Sequence, residues 1–256
     1  MILELYRQRG VLRTLIDKDF KSRYKAKALG RLWSVADPLV MVIIYTIVFV
    51  WIFRVGEKYY AISLLLGLTP FRFFCNSVAG AAAAINDNVQ LVQKVCFPRI
   101  MLPLAVVLAH IRHFFIELGL VALLFLYFRD AFVPSVNLLW FPVIFLVQLV
   151  FVMGVSLVVA ALNVRYRDTQ YILNSVILVL TWATPIFYPF SSVPKQLAWL
   201  QWNPLVGVVE GYRSILMRGQ APDFTLLGAA SLVSVLTLLV GLVIFRHYEH
   251  VFADYL

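Results

Sequence analysis

Six apolar stretches organise this chain: residues 32–53, 61–85, 100–128, 136–162, 172–188 and 224–245, each separated from the next by polar or charged positions. A hydrocarbon layer about 30 Å thick takes about 20 helical residues to cross. All but the 172–188 stretch reach that length. That one is short and runs into Thr184-Pro185-Ile186-Phe187-Tyr188-Pro189, with Pro194, Trp199, Trp202 and Pro204 following. The pattern predicts an all-α integral membrane fold of six transmembrane helices in which the segment between spans five and six is broken.

Composition supports lipid as the solvent. Hydrophobic residues make up 62% of the 256, mean hydropathy is +0.87, and charged residues make up only 14%, against about 25% in a soluble domain. The net charge of +9 would raise nucleic acid as a partner in a soluble protein. In a membrane chain it is first a topology signal, and no nucleic-acid partner is expected. Fourteen Lys and Arg fall in segments on the side of the termini, nine of them within residues 1–31, and six fall in the opposite loops. Positive charge stays inside, so both termini are predicted cytoplasmic. The chain divides into a basic arm (1–31), a membrane domain (32–245) and a short tail (246–256). The arm lacks the pattern of a cleaved signal peptide, so the first span is expected to persist. Cys75 and Cys96 stand 21 residues apart without companion ligands, which predicts neither a disulfide framework nor a metal site. There is no Gly-Lys pair, hence no Walker A loop. No cofactor is expected on this chain, and ATP hydrolysis would need another subunit.

Three polar segments suggest mechanism. Taken as a helix, residues 12–28 put Leu12, Leu15, Ile16 and Phe20 on one face and Lys18, Lys21 and Lys25 on the other, with Arg23 nearer the apolar face. This is the pattern of an amphipathic membrane-surface helix. Its charges fit two roles, topology with anionic-lipid binding or contact with a phosphorylated lipid headgroup. Residues 86–99 start with the cap formers Asn86, Asp87 and Asn88 and end at Pro98-Arg99, which predicts a short helix across the end of two spans. The loop at 163–168, with Arg165, Arg167 and Asp168, is explained as well by topology and a salt bridge. Gly80 and Ala84 form a small-x-x-x-small pair suited to helix packing.

Aromatic and ionisable residues inside the spans complete the candidates. Tyr45, Phe49 and Phe53 recur every four residues, while Trp182, Phe187, Tyr188 and Phe190 crowd the end of span five. Such rings fit either helix packing and the interfacial belt or a wall on which sugar rings stack. In span three, His110, His113 and Glu117 can share a helical face, which raises a metal site or a membrane enzyme as a rival. A further ligand has no source, since His247 and His250 lie in the tail. Internal pairing with Arg112, or a wet helix end, is the expectation instead.

Taken in order, DFKSRYKAKALGRLW (19–33), Asp37-Pro38, GLTPFRFF (67–74), FPRIMLP (97–103), RYRD (165–168), PIFYP (185–189) and Asn203-Pro204 resemble the ABC-2 type permeases. The resemblance is to their polysaccharide-export branch, the Wzm-like O-antigen permeases with teichoic acid and capsule relatives, and it covers essentially the whole chain. It implies a homodimer of six-helix subunits, each resting on a separate nucleotide-binding ATPase subunit that holds ATP and Mg, in the inner membrane and surrounded by its lipids. The implied cargo is a lipid-linked polysaccharide moved from cytoplasm to periplasm, with a drug or simpler lipid as the alternative. On this chain the resemblance implies an ATPase-coupling helix carrying Asn86, Asp87, Val89, Leu91, Val92, Lys94, Val95 and Phe97. It further implies a headgroup gate with Lys18, Lys21, Arg23, Lys25 and Arg31, and two short re-entrant helices over Pro185 to Leu216 closing the periplasmic end. No catalytic residue is implied.

Overall fold

Backbone polar groups in lipid must find partners within the chain, and every regular element among the described residues is helical. The computed structural model describes residues 8–22, 33–52, 54, 59–95, 97–166, 168–250 and 252, with backbone only at 20–22, 33–35 and 38. In chain order the helices are α1 (Arg9–Ser22), α2 (Trp33–Thr46), α3 (Tyr60–Ala83), α4 (Val89–Lys94), α5 (Met101–Tyr127), α6 (Phe141–Arg165), α7 (Thr169–Ala183), α8 (Pro204–Arg213) and α9 (Phe224–Glu249). α2 runs on as a π-helical stretch, Ile47–Ile52, and α8 as another, Ser214–Arg218.

Four helical segments are long and apolar enough to cross a membrane: Tyr60–Ala83, Met101–Tyr127, Val136–Arg165 and Phe224–Glu249. The first and fifth apolar runs yield shorter apolar helices, Leu39–Ile52 and Thr169–Ala183. The 15 residues of α7 reach about 22 Å, well under the about 30 Å of a hydrocarbon layer. α7 stops for a local reason. Thr184 precedes a proline and is extended, with ψ at 135°, because the ring of the next residue disfavours the helical region. Two 3-10 stretches follow, Phe190–Ser192 and Lys195–Trp202, and an α-helix resumes at α8, where Asn203 accepts from the amide of Leu205 at 3.1 Å and Pro204 fills the first turn.

Two hydrophobic cores hold the bundle. The larger is rich in aromatic residues, among them Phe73, Phe74, Phe114, Phe151 and Tyr212. The smaller lies where the 86–97 loop meets the bundle, and it joins Leu15 of α1, Val92 of α4, Met101 of α5, Leu157 of α6 and Phe245 of α9. α6 and α9 pack along each other through glycines. A Cβ on Gly154 would lie 2.6 Å from the Leu238 nitrogen, and one on Gly241 would lie 2.5 Å from the Gly154 carbonyl. Small residues at such a crossing let backbones touch. Of the small pair picked out in the sequence, Ala84 is buried in the smaller core and Gly80 lines a cavity of about 170 Å³ beneath α1.

Candidate functional site

At one end of the molecule lies the broken segment after α7. Four consecutive carbonyls there lack helical partners, and side chains from α3 and α8 take all four. Arg213 donates through Nη1 to the carbonyls of Pro185 at 2.6 Å and Tyr188 at 3.3 Å, and through Nη2 to that of Ile186 at 2.7 Å. The Tyr60 hydroxyl donates to the remaining carbonyl, that of Phe187, at 3.2 Å. Arg213 also bonds the Ser63 carbonyl of α3 at 3.2 Å and Oε1 of Glu210 at 3.1 Å. The second oxygen of Glu210 accepts from half-exposed Arg218 at 2.5 Å. Glu210 also receives the Phe190 amide at 3.3 Å.

Both Glu210 and Arg213 are buried. A buried charge is tolerable only when paired and hydrogen-bonded, and this network meets that condition. Gly67 makes room for it, since a Cβ there would come within 3.1 Å of both Ile186 Cα and Arg213 Nη2. Below the clamp, buried Gln148 joins three helices, donating to the Pro70 carbonyl at 2.9 Å and accepting from the Tyr212 hydroxyl at 3.2 Å. The sequence reading missed Glu210 and Arg213. Their signal was an i, i+3 pair of opposite charges directly after the apolar run 205–209.

The candidate aromatics gather around this break. Phe187 is buried, with ring centroids of Tyr45 at 4.8 Å, Phe49 at 5.4 Å and Trp182 at 5.5 Å. Tyr60 joins the group, 5.9 Å from Phe49. Trp182 remains 61% exposed, so the cluster opens onto the surface of the single chain. Tyr188 turns its hydroxyl back to the Trp182 carbonyl at 2.6 Å, and the Phe190 ring is half-buried. Phe53 lies outside the described residues.

At the opposite end, the 86–97 loop and α1 form one unit. The predicted short helix is present as a 3-10 turn, Asn86–Asn88, followed by α4, and the backbone is extended at Val95. Its faces differ. Val92 is buried, Val89, Leu91 and Phe97 are half-buried, and Asn86, Asp87, Lys94 and Val95 are exposed. Leu12, Leu15 and Ile16 of α1 pack on the same core as Val92, so the chain itself buries Leu15 and half-buries Leu12 and Ile16 of that face. Lys18 donates to Oδ1 of Asn88 at 2.7 Å, bracing α1 against the loop. Lys21 is described in its backbone only, and Arg23, Lys25 and Arg31 lie outside the described residues. Arg99 closes the loop, donating to the carbonyl of Glu249 at 2.6 Å.

The span-three ionisable residues Arg112 and Glu117 reach partners on other helices. Arg112 bonds Asp17 of α1 at 2.7 Å, and Glu117 bonds Arg72 of α3 at 3.2 Å. Residues five apart on a helix sit about 140° around its axis, which takes Arg112 and Glu117 to different neighbours. Arg72 reaches a second carboxylate, Asp37 of α2, at 3.2 Å. His110 and His113 have ring centroids 5.9 Å apart, and the His110 Nδ1 lies 2.8 Å from the Val106 carbonyl. The described residues contain no group of three or more His, Cys, Asp or Glu placed to hold a metal.

Among the described residues the elements are helical, with a loop unit at one end of the bundle, a clamped backbone break at the other and four segments long and apolar enough to cross a membrane. A family model for ABC-2 type transporters matches residues 10–217. The chain belongs to that family. It is similar over 99% of its length to an O-antigen export system permease protein RfbA of Myxococcus xanthus, at 32% identity and with 98% of that protein covered. A protein of the same description from Klebsiella pneumoniae is 31% identical, over 96% of this chain and 95% of the relative. The polysialic acid transport protein KpsM of Escherichia coli is 23% identical, over 94% and 95% respectively.

Proposed function

We propose that this chain is the channel-forming permease subunit of an ATP-driven exporter that moves a lipid-linked polysaccharide from cytoplasm to periplasm. The observation that carries the reading is the unbroken similarity, along nearly the whole of both chains, to permeases described as exporting O-antigen. In this reading α2 and α7 complete a six-span bundle with the four long helices. Both termini face the cytoplasm, residues 1–31 form the interfacial arm, 32–245 the membrane domain and 246–256 the tail. The segment from Pro185 to Leu216 dips into the membrane from the periplasmic side as two short re-entrant helices. The fully partnered carbonyls of residues 185–188 support that placement, because a bare backbone break is not tolerated at membrane depth.

Two copies would assemble, each on a nucleotide-binding subunit that holds ATP and Mg. The exposed positions of the loop, Asn86, Asp87, Lys94 and Val95, would meet the motor. Val92 and α1 share a core with the ends of α5, α6 and α9, so a push on the loop would move those elements together. The headgroup gate falls to Lys21, Arg23, Lys25 and Arg31, with Lys18 tying that helix to the loop. The aromatic cluster around Phe187 would face the passage, where sugar rings stack without being gripped. α7 supports a dimer because Leu173 is its one buried residue in the single chain, while Ile172, Leu178, Val179 and Trp182 stay exposed.

Co-purification tests the reading. The chain, expressed with its neighbouring genes, is expected to retain an ATPase subunit through detergent extraction, and a lipid-linked glycan is expected to stimulate hydrolysis. Transport by the isolated chain without any ATPase would overturn it.

A further inference from the structure

Glu249 ends α9, and the carbonyls in the last turn of a helix have no partner within it. Arg99 supplies one, donating through Nη1 to the Glu249 carbonyl at 2.6 Å. In the other direction the Glu249 carboxylate accepts from the Arg99 amide at 3.2 Å, two residues ahead of α5. Each side chain thus serves the backbone beside the other, with the cation at a helix C-terminus and the carboxylate near an N-terminus, where the helix dipoles favour them. Both residues are half-buried. Around them Phe252 packs edge-on against Phe245 with ring centroids 5.4 Å apart, and the Arg165 guanidinium at the end of α6 lies 5.7 Å from the Tyr248 ring. The end of α9 is therefore fastened to the 86–99 segment.

From this joint α9 runs to the other end of the molecule, 26 residues or about 39 Å away. Its first turns lie against α8. A Cβ on Gly207 would come within 2.6 Å of the Leu226 carbonyl oxygen and 2.9 Å of the Ala230 Cβ, so the two helices meet with no side chain between them at that point. Arg213 of the same α8 holds the carbonyls of Pro185, Ile186 and Tyr188. A displacement of α9 along its axis is thereby delivered to the clamp, and packed helices joined by hydrogen bonds can carry coupling over such a distance. α3 makes a second connection, since it meets the loop segment at Ala83 and offers Tyr60 and the Ser63 carbonyl to the clamp at its other end.

We infer that Arg99 is the positioning residue that joins the 86–97 loop to α9, and that α9 carries displacement of that loop to the clamp on the backbone break. The inference rests on the export reading, in which an ATPase subunit acts on the loop.

The test uses the complex with its ATPase subunit in nanodiscs, with ATP and vanadate as the probe. After Cys75→Ser and Cys96→Ser, an environment-sensitive dye is placed on a single cysteine, either Gln93→Cys on the loop or Ser192→Cys beside the break, both at exposed positions. With Arg99 intact, both dyes are expected to respond. Arg99→Met keeps the apolar stem and removes the side-chain donors; the loop dye should still respond, while the Ser192 response falls about five- to tenfold, the low end of coupling between sites. It falls without vanishing because α3 keeps its own connection. Arg99→Lys, which keeps a cation at the end of α9, is expected to restore part of the response. Glu249→Ala removes the second bond and should reproduce the loss in milder form, which decides the matter where Arg99→Met fails to assemble. An unchanged Ser192 response in the Arg99→Met and Glu249→Ala complexes overturns the joint. Equal loss at both dyes makes Arg99 a residue that seats the loop, and overturns α9 as the carrier. A silent Ser192 dye with Arg99 intact overturns transmission to the break. The export reading fails separately, by the absence of any associated ATPase.

Discussion

Replacing Arg213 with methionine keeps the length and apolar stem of the side chain and removes every donor. Three carbonyls, those of Pro185, Ile186 and Tyr188, then lose their partner in a buried region. Each such group costs about 1–3 kcal/mol when left unsatisfied. The losses overlap, because one segment can relax to serve all three, so we expect about 4–6 kcal/mol in total, close to the about 3–5 kcal/mol measured when a buried pair is broken. Glu210 retains Arg218, which limits the damage. At about 2–4 °C per kcal/mol for a chain of this size, the melting temperature in detergent should fall by about 10–20 °C. Arg213→Lys keeps the charge but loses the fork, and should fall about half as far. Fluorescence-detected size-exclusion after a temperature ramp measures both. An Arg213→Met protein melting within about 3 °C of wild type would refute the clamp as what holds the break.

Gly154→Ala should lower the melting temperature by several degrees, because its Cβ would strike the backbone of α9 and overpacking costs about 1–3 kcal/mol. Gly228→Ala on α9 itself, with nothing within 4 Å, should be neutral or stabilising in the same assay. Val95→Asp should leave expression and melting unchanged while abolishing substrate-stimulated ATPase activity, since Val95 is 49% exposed. Val92→Asp places a carboxylate in the smaller core and should reduce the yield of folded protein instead; equal behaviour of the two variants would contradict the buried and exposed sides assigned to the 86–97 loop.

Much of this architecture was legible in the order of residues. Long apolar runs became the four long helices, and the prolines after Thr184 marked where α7 ends. The cap formers at 86–88 and the proline at 98 bracketed the loop helix. The four-residue spacing of Tyr45 and Phe49 did put both rings on one face, and that face meets Phe187. What the sequence hid was partnership between distant segments. Glu117 has a nearer cation in Arg112, yet its partner is Arg72, 45 residues away, because helical phase outranks proximity along the chain. Arg213 counted as one more loop cation in the topology tally, whereas it is buried and serves backbone carbonyls. Lys18 read as one of a row of equivalent lysines, and only the position of Asn88 sets it apart. Gly154 and Gly241 gave no signal, since two glycines in separate apolar runs say nothing until the runs are laid side by side.

The central claim is export, and location of the polysaccharide tests it most directly. Removing this gene from its host, then staining intact and permeabilised cells for the polysaccharide, should show material synthesised but confined to the cytoplasmic side, with surface display restored by the wild-type chain. Normal surface display without the gene would contradict the account.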